Sequence, residues 1–437
     1  MRLKISLKEL FLITASVLVV LYTNFYAMIP EKVYVLCMMF IIFCAVLSFL
    51  KISNQRMCFR INPVFWQKQI KWMLLLLISV VGNVSLSRGY YTPTLRFAAL
   101  ILLCIALSYG GNSIYYIPWL LAGIGFVNVI GTFFFMIFPN KYGIMEQIYG
   151  YCPTGTQYGT YGYRAGIADH YSQNAIFIAI VFLVLAISVM VYGHSVKLRK
   201  KTVLLLCCAA ALAALVLTTK RGPLLFSILA VIAVYYLINV NKIFTRTFKL
   251  ICIVFVIGSA FYLAIPYVPE LNRVFERFSA AGSDSETLTR FRMWDLAISL
   301  FKEHPLTGIG WYGFRYEHAA HIYNAAVNDS RYMYLHAHNV YLQILCERGI
   351  LGFGLYVYIL LSNLIGSCRT LIKWKKKKLT DKDVYVLAVA VGIQIYYIMY
   401  SFTGNCLYDI VFCFYALAVG VSCSIRYGYN SRTRMRR

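Results

Sequence analysis

Apolar residues run through this chain in long blocks. Stretches of about twenty nearly uncharged residues alternate with polar connections, and each is long enough to cross a hydrocarbon core of ~30 Å as a helix. Twelve spans are predicted, at about 10–29, 33–50, 70–86, 92–108, 114–138, 175–192, 202–218, 224–240, 250–266, 350–368, 384–402 and 410–425. The first has no small-residue cleavage site after it and leads straight into the second, so it reads as an uncleaved helix. Two connections are long, 139–174 and 267–349, and the rest are short. The pattern predicts an all-α integral membrane protein, a single polytopic domain over 1–437, with function concentrated in the two long loops. No paired Gly/Pro-interrupted helices recur in the two halves, as an inverted-repeat transporter would require.

Within the larger loop the apolar period changes. Trp294, Ala297, Ile298 and Phe301 recur at helical spacing, which predicts an amphipathic helix from Phe291 to Glu303 lying on the membrane and ending before His304-Pro305. Arg290 and Arg292 stand at its start and point to different faces. Cations at a helix N-terminus are locally unfavourable unless an anion is near. Gly308, Gly310 and Gly313 interleave with Trp311, Tyr312 and Phe314, predicting a tight turn packed by aromatics; with no preceding strand it is no nucleotide fingerprint.

Composition agrees with the span pattern. Of 437 residues, 60% are hydrophobic and 13% charged, and mean hydropathy is +0.68. Formal net charge is +26. An even number of spans puts both termini on one side, and the connections of that side hold 27 of the 42 Lys and Arg but only Glu9, Asp381 and Asp383 of the 16 acids. By the positive-inside rule that side is cytoplasmic, and the two long loops are outside. The other side keeps 15 basic and 13 acidic residues, so the net charge records orientation and does not point to nucleic acid. Lys375 to Lys378 read as an anchor on anionic headgroups. Arg96 is the one clear mid-span charge, a candidate for reaching a polar cavity or a partner.

Candidate chemistry lies at the outer boundary. The short turn Thr218-Thr219-Lys220-Arg221-Gly222-Pro223 places Arg221 where Pro223 starts a helix with free backbone donors, a plausible anion seat; snorkelling of Lys220 and Arg221 to headgroups is the plainer alternative. His318, His321, His336 and His338 follow in the large loop. Their spacing is not that of a zinc site, and one histidine acting as general base is the better use. The smaller loop carries Tyr163-Arg164-Ala165-Gly166 in a Tyr- and Gly-rich setting that suits sugar rings or an interfacial belt. Thirteen cysteines lie mainly in apolar runs and read as small hydrophobes; only Cys152 and Cys406 fall in outer loops, and whether they pair stays open.

These residues carry a resemblance. Arg290-x-x-x-Trp294, Pro305-Leu306-x-Gly308-x-Gly310 and His338-Asn339-x-Tyr341-Leu342-Gln343-x-x-x-Glu347-x-Gly349-Ile350-x-Gly352 together resemble the signature of the O-antigen ligase and polymerase superfamily. Arg221-Gly222 and Arg164-Ala165-Gly166 are similar, more weakly, to its two earlier motifs. The resemblance implies a GT-C-like glycosyltransferase of the bacterial cytoplasmic membrane that takes glycan from a polyprenyl-pyrophosphate carrier. It further implies Arg221 and Arg290 as holders of the pyrophosphate and His338 as catalytic base, with no metal and no cofactor. Arg164, Arg292 and His336 are accessory candidates, since Arg292 shadows Arg290 and His336 competes with His338. Expected partners are the lipid-linked donor, a glycan acceptor, membrane lipids, and flippase and chain-length regulator proteins. Polymerase is favoured over ligase or O-oligosaccharyltransferase, because the outer loop holds no extra acceptor-binding domain. A transporter is the rival from another class, and it should place charges near the bilayer midplane.

Overall fold

The computed structural model describes residues 6–25, 28–53, 56–59, 63–150, 162–193, 195–238, 285–324, 335–376 and 378–434, with a few isolated positions between 247 and 263. Eleven of the twelve predicted spans are helices: α1 (Leu7–Asn24), α2 (Glu31–Leu47), α3 (Pro63–Val80), α4 (Thr92–Leu107), α5 (Ile117–Ile137), α6 (Tyr171–Tyr192), α7 (Leu198–Leu217), α8 (Arg221–Ile238), α11 (Val340–Ile372), α12 (Asp381–Tyr400) and α13 (Val411–Arg434). The remaining span, 250–266, lies almost wholly outside the described residues. Two further helices, α9 (Ser285–Glu303) and α10 (Gly313–Asn324), come from the larger loop. Seven described helices are long and apolar enough to cross a membrane. The chain is an all-α integral membrane protein.

Two details differ from the sequence reading. A small antiparallel hairpin, β1 (Leu50–Ser53) with β2 (Arg56–Phe59), fills the first basic connection, pairing Leu50 with Phe59; four-residue strands are too short to show as alternation. And α3 stops at Val80 instead of running to residue 86, because Gly82 turns to φ +62° and Asn83 then caps a new helical turn, its Oδ1 accepting from Leu86 N at 3.1 Å.

The centre of the bundle is α6 packed against α12. Every residue from Ala175 to Ser188 is buried, and so is the run Asp383 to Gln394. A helix that is apolar on all sides belongs inside other helices, and α5, α7, α8 and α13 surround this pair. At one end of α12 the chain turns through residues 401–410 into α13, and this turn is the base on which the candidate site is built.

Candidate functional site

The last motif forms a frame. Helix α11 is broken at Gly349 (φ +60°, ψ −169°), which strands the carbonyls of Cys346 and Glu347. The turn 304–310 supplies their donors: Ile309 N to Cys346 O at 2.9 Å and Gly310 N to Glu347 O at 3.0 Å, while Ile350 N returns a bond to Pro305 O at 2.9 Å. Gly308 and Gly349 both take positive φ, and a Cβ on either would strike the other strand of this contact, so neither can carry a side chain. Trp311 then joins the end of α3 through Trp311 N to Gly82 O and Val84 N to Trp311 O.

Glu347 is the polar centre of the frame. Fully buried, it accepts four hydrogen bonds: Tyr312 N at 3.0 Å and Tyr408 Oη at 2.6 Å on Oε2, Phe314 N at 3.3 Å and Gln343 Nε2 at 3.0 Å on Oε1. Gln343 is oriented without ambiguity, since its Oε1 accepts from Ala337 N at 3.0 Å. Its Nε2 therefore also donates to His336 Nδ1, at 2.9 Å, and this pattern assigns the proton of neutral His336 to Nε2. Burial, reinforced by the nearby Arg315 charge, pushes His336 well below the ordinary imidazole value. The ring stacks on Tyr408 at 4.9 Å between centroids. Gln343 at Nδ1 and Tyr408 on the ring face fix His336 in place. A neutral ring with Nδ1 occupied is suited to donate a hydrogen bond.

His338 lies one residue before Asn339, whose Oδ1 caps α11 by accepting from Tyr341 N and Leu342 N at 3.1 and 3.2 Å. Its backbone is left-handed (φ +51°), and its N–H donates to Asn405 Oδ1 at 2.9 Å, leaving Asn405 Nδ2 3.4 Å from His338 Nδ1. The neighbouring Val340 N bonds Ser401 O, which ties the start of α11 to the 401–410 turn.

Helix α9 begins at Ser285, so Arg290 and Arg292 lie in its second turn, and the expected penalty of a cation at the helix N-terminus does not arise. Its buried face is Met293, Ala297 and Leu300, packed on Phe314, Ala337 and Cys346, with Trp294 Nε1 donating to Ala337 O at 2.9 Å. The amphipathic stripe is therefore rotated from the sequence reading, and it packs on protein; Phe291 and Ile298 stay exposed. The two arginines separate as expected. Arg290 is half-buried and within electrostatic reach of Tyr400, whereas Arg292 is exposed.

Arg221 is the first residue of α8, and Gly222 packs directly on the Tyr400 ring and Thr403. Beside this turn, Lys220 and Arg164 both lie on the ring of Tyr171, 4.0 and 4.5 Å from its centroid. Asp169 stands near Asp409; burial and that second carboxylate push it up to about 6. Arg96 reaches up from α4 to donate to Tyr408 O, which resolves the one mid-span charge as a prop for the 401–410 turn. His318 is buried beside Phe314, and His321 is exposed. Among the described residues no three His, Cys, Asp or Glu group closely enough to hold a metal ion. Cys406 is fully buried, and Cys152 lies outside the described residues.

Residues that sequence reasoning gave no role carry much of this arrangement: Gln343 and Glu347, present there only as motif positions, and Tyr171, Tyr400, Asn405, Tyr408 and Asp409. By length alone the 401–410 turn is one more short connection. Its unusual density of polar side chains between two apolar helices was the available signal.

Residues 203–357 match the family model described as O-Antigen ligase, a match that supports the O-antigen ligase and polymerase superfamily. It takes in Arg221, Arg290, His336, His338 and Glu347 but neither Arg164 nor the 401–410 turn. No curated protein matches the chain.

Proposed function

We propose that the chain, within the O-antigen ligase and polymerase superfamily, is a surface-polysaccharide polymerase of the bacterial cytoplasmic membrane. It transfers glycan repeat units from a polyprenyl-pyrophosphate carrier to an acceptor sugar hydroxyl. The site faces outward and both termini lie in the cytoplasm, a reading supported by the 27-to-15 division of basic residues. The observation that carries the reading is convergence: the elements bearing Arg221 and His338, far apart in sequence, both contact the segment Tyr400 to Asn405, and Arg290 lies within electrostatic reach of Tyr400.

In this reading Arg221 and Arg290 neutralise the charge that builds on the pyrophosphate as the bond to the anomeric carbon breaks, work that a divalent cation would otherwise do. The acceptor oxygen forms the new bond from the opposite face, inverting the configuration, and His338 takes its proton. His336 serves as a neutral donor beside it. Arg164 and Lys220, gathered on Tyr171, extend the cationic rim toward the glycan.

The test is the glycan made by a deletion strain. Surface chains of a single repeat are expected. Long chains left unattached would instead identify a ligase, and carrier-linked units trapped inside the cell a transporter.

A further inference from the structure

The end of the bundle away from His338 holds two cations, Lys71 and Arg426, and among the described residues no carboxylate is hydrogen-bonded to Lys71. Ser362 and Asn363 lie 13 and 14 residues beyond the Gly349 break of α11, about 20 Å along a helix axis at the usual rise. Arg426 lies 15 residues beyond the start of α13, about 22 Å by the same measure. Here Lys71 of α3 donates to Ser362 Oγ at 2.6 Å and to Asn363 Oδ1 at 3.0 Å. The Arg426 guanidinium lies directly against Gly366, one turn on, where any side chain would collide with it. Arg426 is close enough for its charge to act on Lys71, and no carboxylate is among the groups that do so.

A snorkelling cation turns outward to water. Lys71 instead turns inward across α11, and Arg426 comes to the same place from α13. Asn363, a residue only 2% exposed, accepts from Lys71 through Oδ1 and turns its amide toward the Tyr415 hydroxyl. Two like charges held together at a membrane boundary are costly unless an anion joins them. The neighbouring surface is apolar: within two turns, α3 exposes Ile70 and Leu74, and α11 exposes Leu361 and Ile365.

We propose that Lys71 and Arg426, positioned by Ser362 and Asn363, form a seat for the headgroup phosphate of an anionic phospholipid, with its acyl chains along the exposed apolar residues of α3 and α11. The lipid belongs to the leaflet opposite the His338 site, which is the cytoplasmic leaflet in the orientation proposed above. Basic pockets between membrane helices on that side are suited to such headgroups. The seat is independent of the transfer chemistry, so either assignment can fail alone.

The experiment is native mass spectrometry of the full chain released from nanodiscs containing equal phosphatidylglycerol and phosphatidylcholine. Wild type should retain phosphatidylglycerol in preference. Lys71→Gln with Arg426→Gln should lower that retention about tenfold, as expected when two charge-assisted contacts are lost, and Lys71→Arg should keep it. Equal retention of the two lipids, or unchanged retention in the double variant, overturns the seat. Complete displacement of the lipid by millimolar inorganic phosphate overturns the lipid as occupant in favour of a soluble anion. If the double variant does not fold, wild-type thermal stability in the two pure lipids decides: greater stability in phosphatidylglycerol supports the seat and equal stability refutes it.

Discussion

Replacing Glu347 separates the frame from the chemistry it holds. Glu347→Leu removes the acceptor of four buried donors at once: Tyr312 N, Phe314 N, Gln343 Nε2 and Tyr408 Oη. A stranded buried donor costs about 1–3 kcal/mol, so simple addition gives about 4–12 kcal/mol, as much as the whole stability of many domains, about 5–15 kcal/mol. Glu347→Gln is milder. With its amide nitrogen in the place of Oε2, the Tyr408 hydroxyl can rotate to accept, and only Tyr312 N–H is stranded. That single loss is about 1–3 kcal/mol, or about five- to 150-fold in the folding equilibrium. Size-exclusion profiles after a heating series should then rank wild type, Glu347→Gln and Glu347→Leu in that order. Nitrogen-15 spectra of labelled histidine should show the His336 Nε2–H tautomer in wild type. A Glu347→Leu protein as heat-resistant as wild type would refute the frame.

Further outcomes follow from the same geometry. Arg221→Ala and Arg290→Ala should abolish product in a membrane assay, Lys at either position should rescue poorly because a point charge lacks the planar fork, and Arg292→Ala should stay active; the reverse ranking of Arg290 and Arg292 would show the wrong arginine was chosen. His336→Gln, which keeps a donor but cannot be a base, should retain at least about a tenth of the activity that loss of a true base would lower by about 10²–10⁴-fold. Asn405→Asp puts a carboxylate beside His338 Nδ1, which favours imidazolium and should move the acid limb of the pH–rate profile up by about one unit; an unmoved limb would separate His338 from the rate. Asp169 has a raised native value of about 6 against 3.8, so its contribution to stability is greatest below the unfolded value and is lost as pH rises through about 6. That loss is at most about 3 kcal/mol before allowance for partial exposure, and Asp169→Asn should flatten thermal stability between pH 4 and 7.

Much of the architecture was legible because membrane helices announce themselves one at a time. The spans, the helix containing Trp294 and the glycine turn all follow from local pattern. The errors came where tertiary contacts decide. Met293, Ala297 and Leu300 face inward because Phe314 and Cys346 wait there, and no periodicity chooses between that stripe and the overlapping one through Ile298. Gln343 and Glu347 were read as letters of a motif; their role appears only when Ala337, His336, Tyr408 and the 312–314 backbone are brought around them. Asn405 lies 67 residues beyond His338 and meets it only through the fold. Two histidines two residues apart could not be ranked by spacing either; their different partners, Gln343 at 2.9 Å from His336 Nδ1 and Asn405 at 3.4 Å from His338 Nδ1, appear only in the fold.

The most direct measurement is chain growth by the purified protein in lipid, supplied with a polyprenyl-pyrophosphate-linked repeat unit as both donor and acceptor and followed by mass spectrometry of the products. Wild type should lengthen the glycan, and a folded His338→Ala variant should bind the same donor while its rate falls about 10²–10⁴-fold. Lengthening by His338→Ala at the wild-type rate would contradict the assignment of this site.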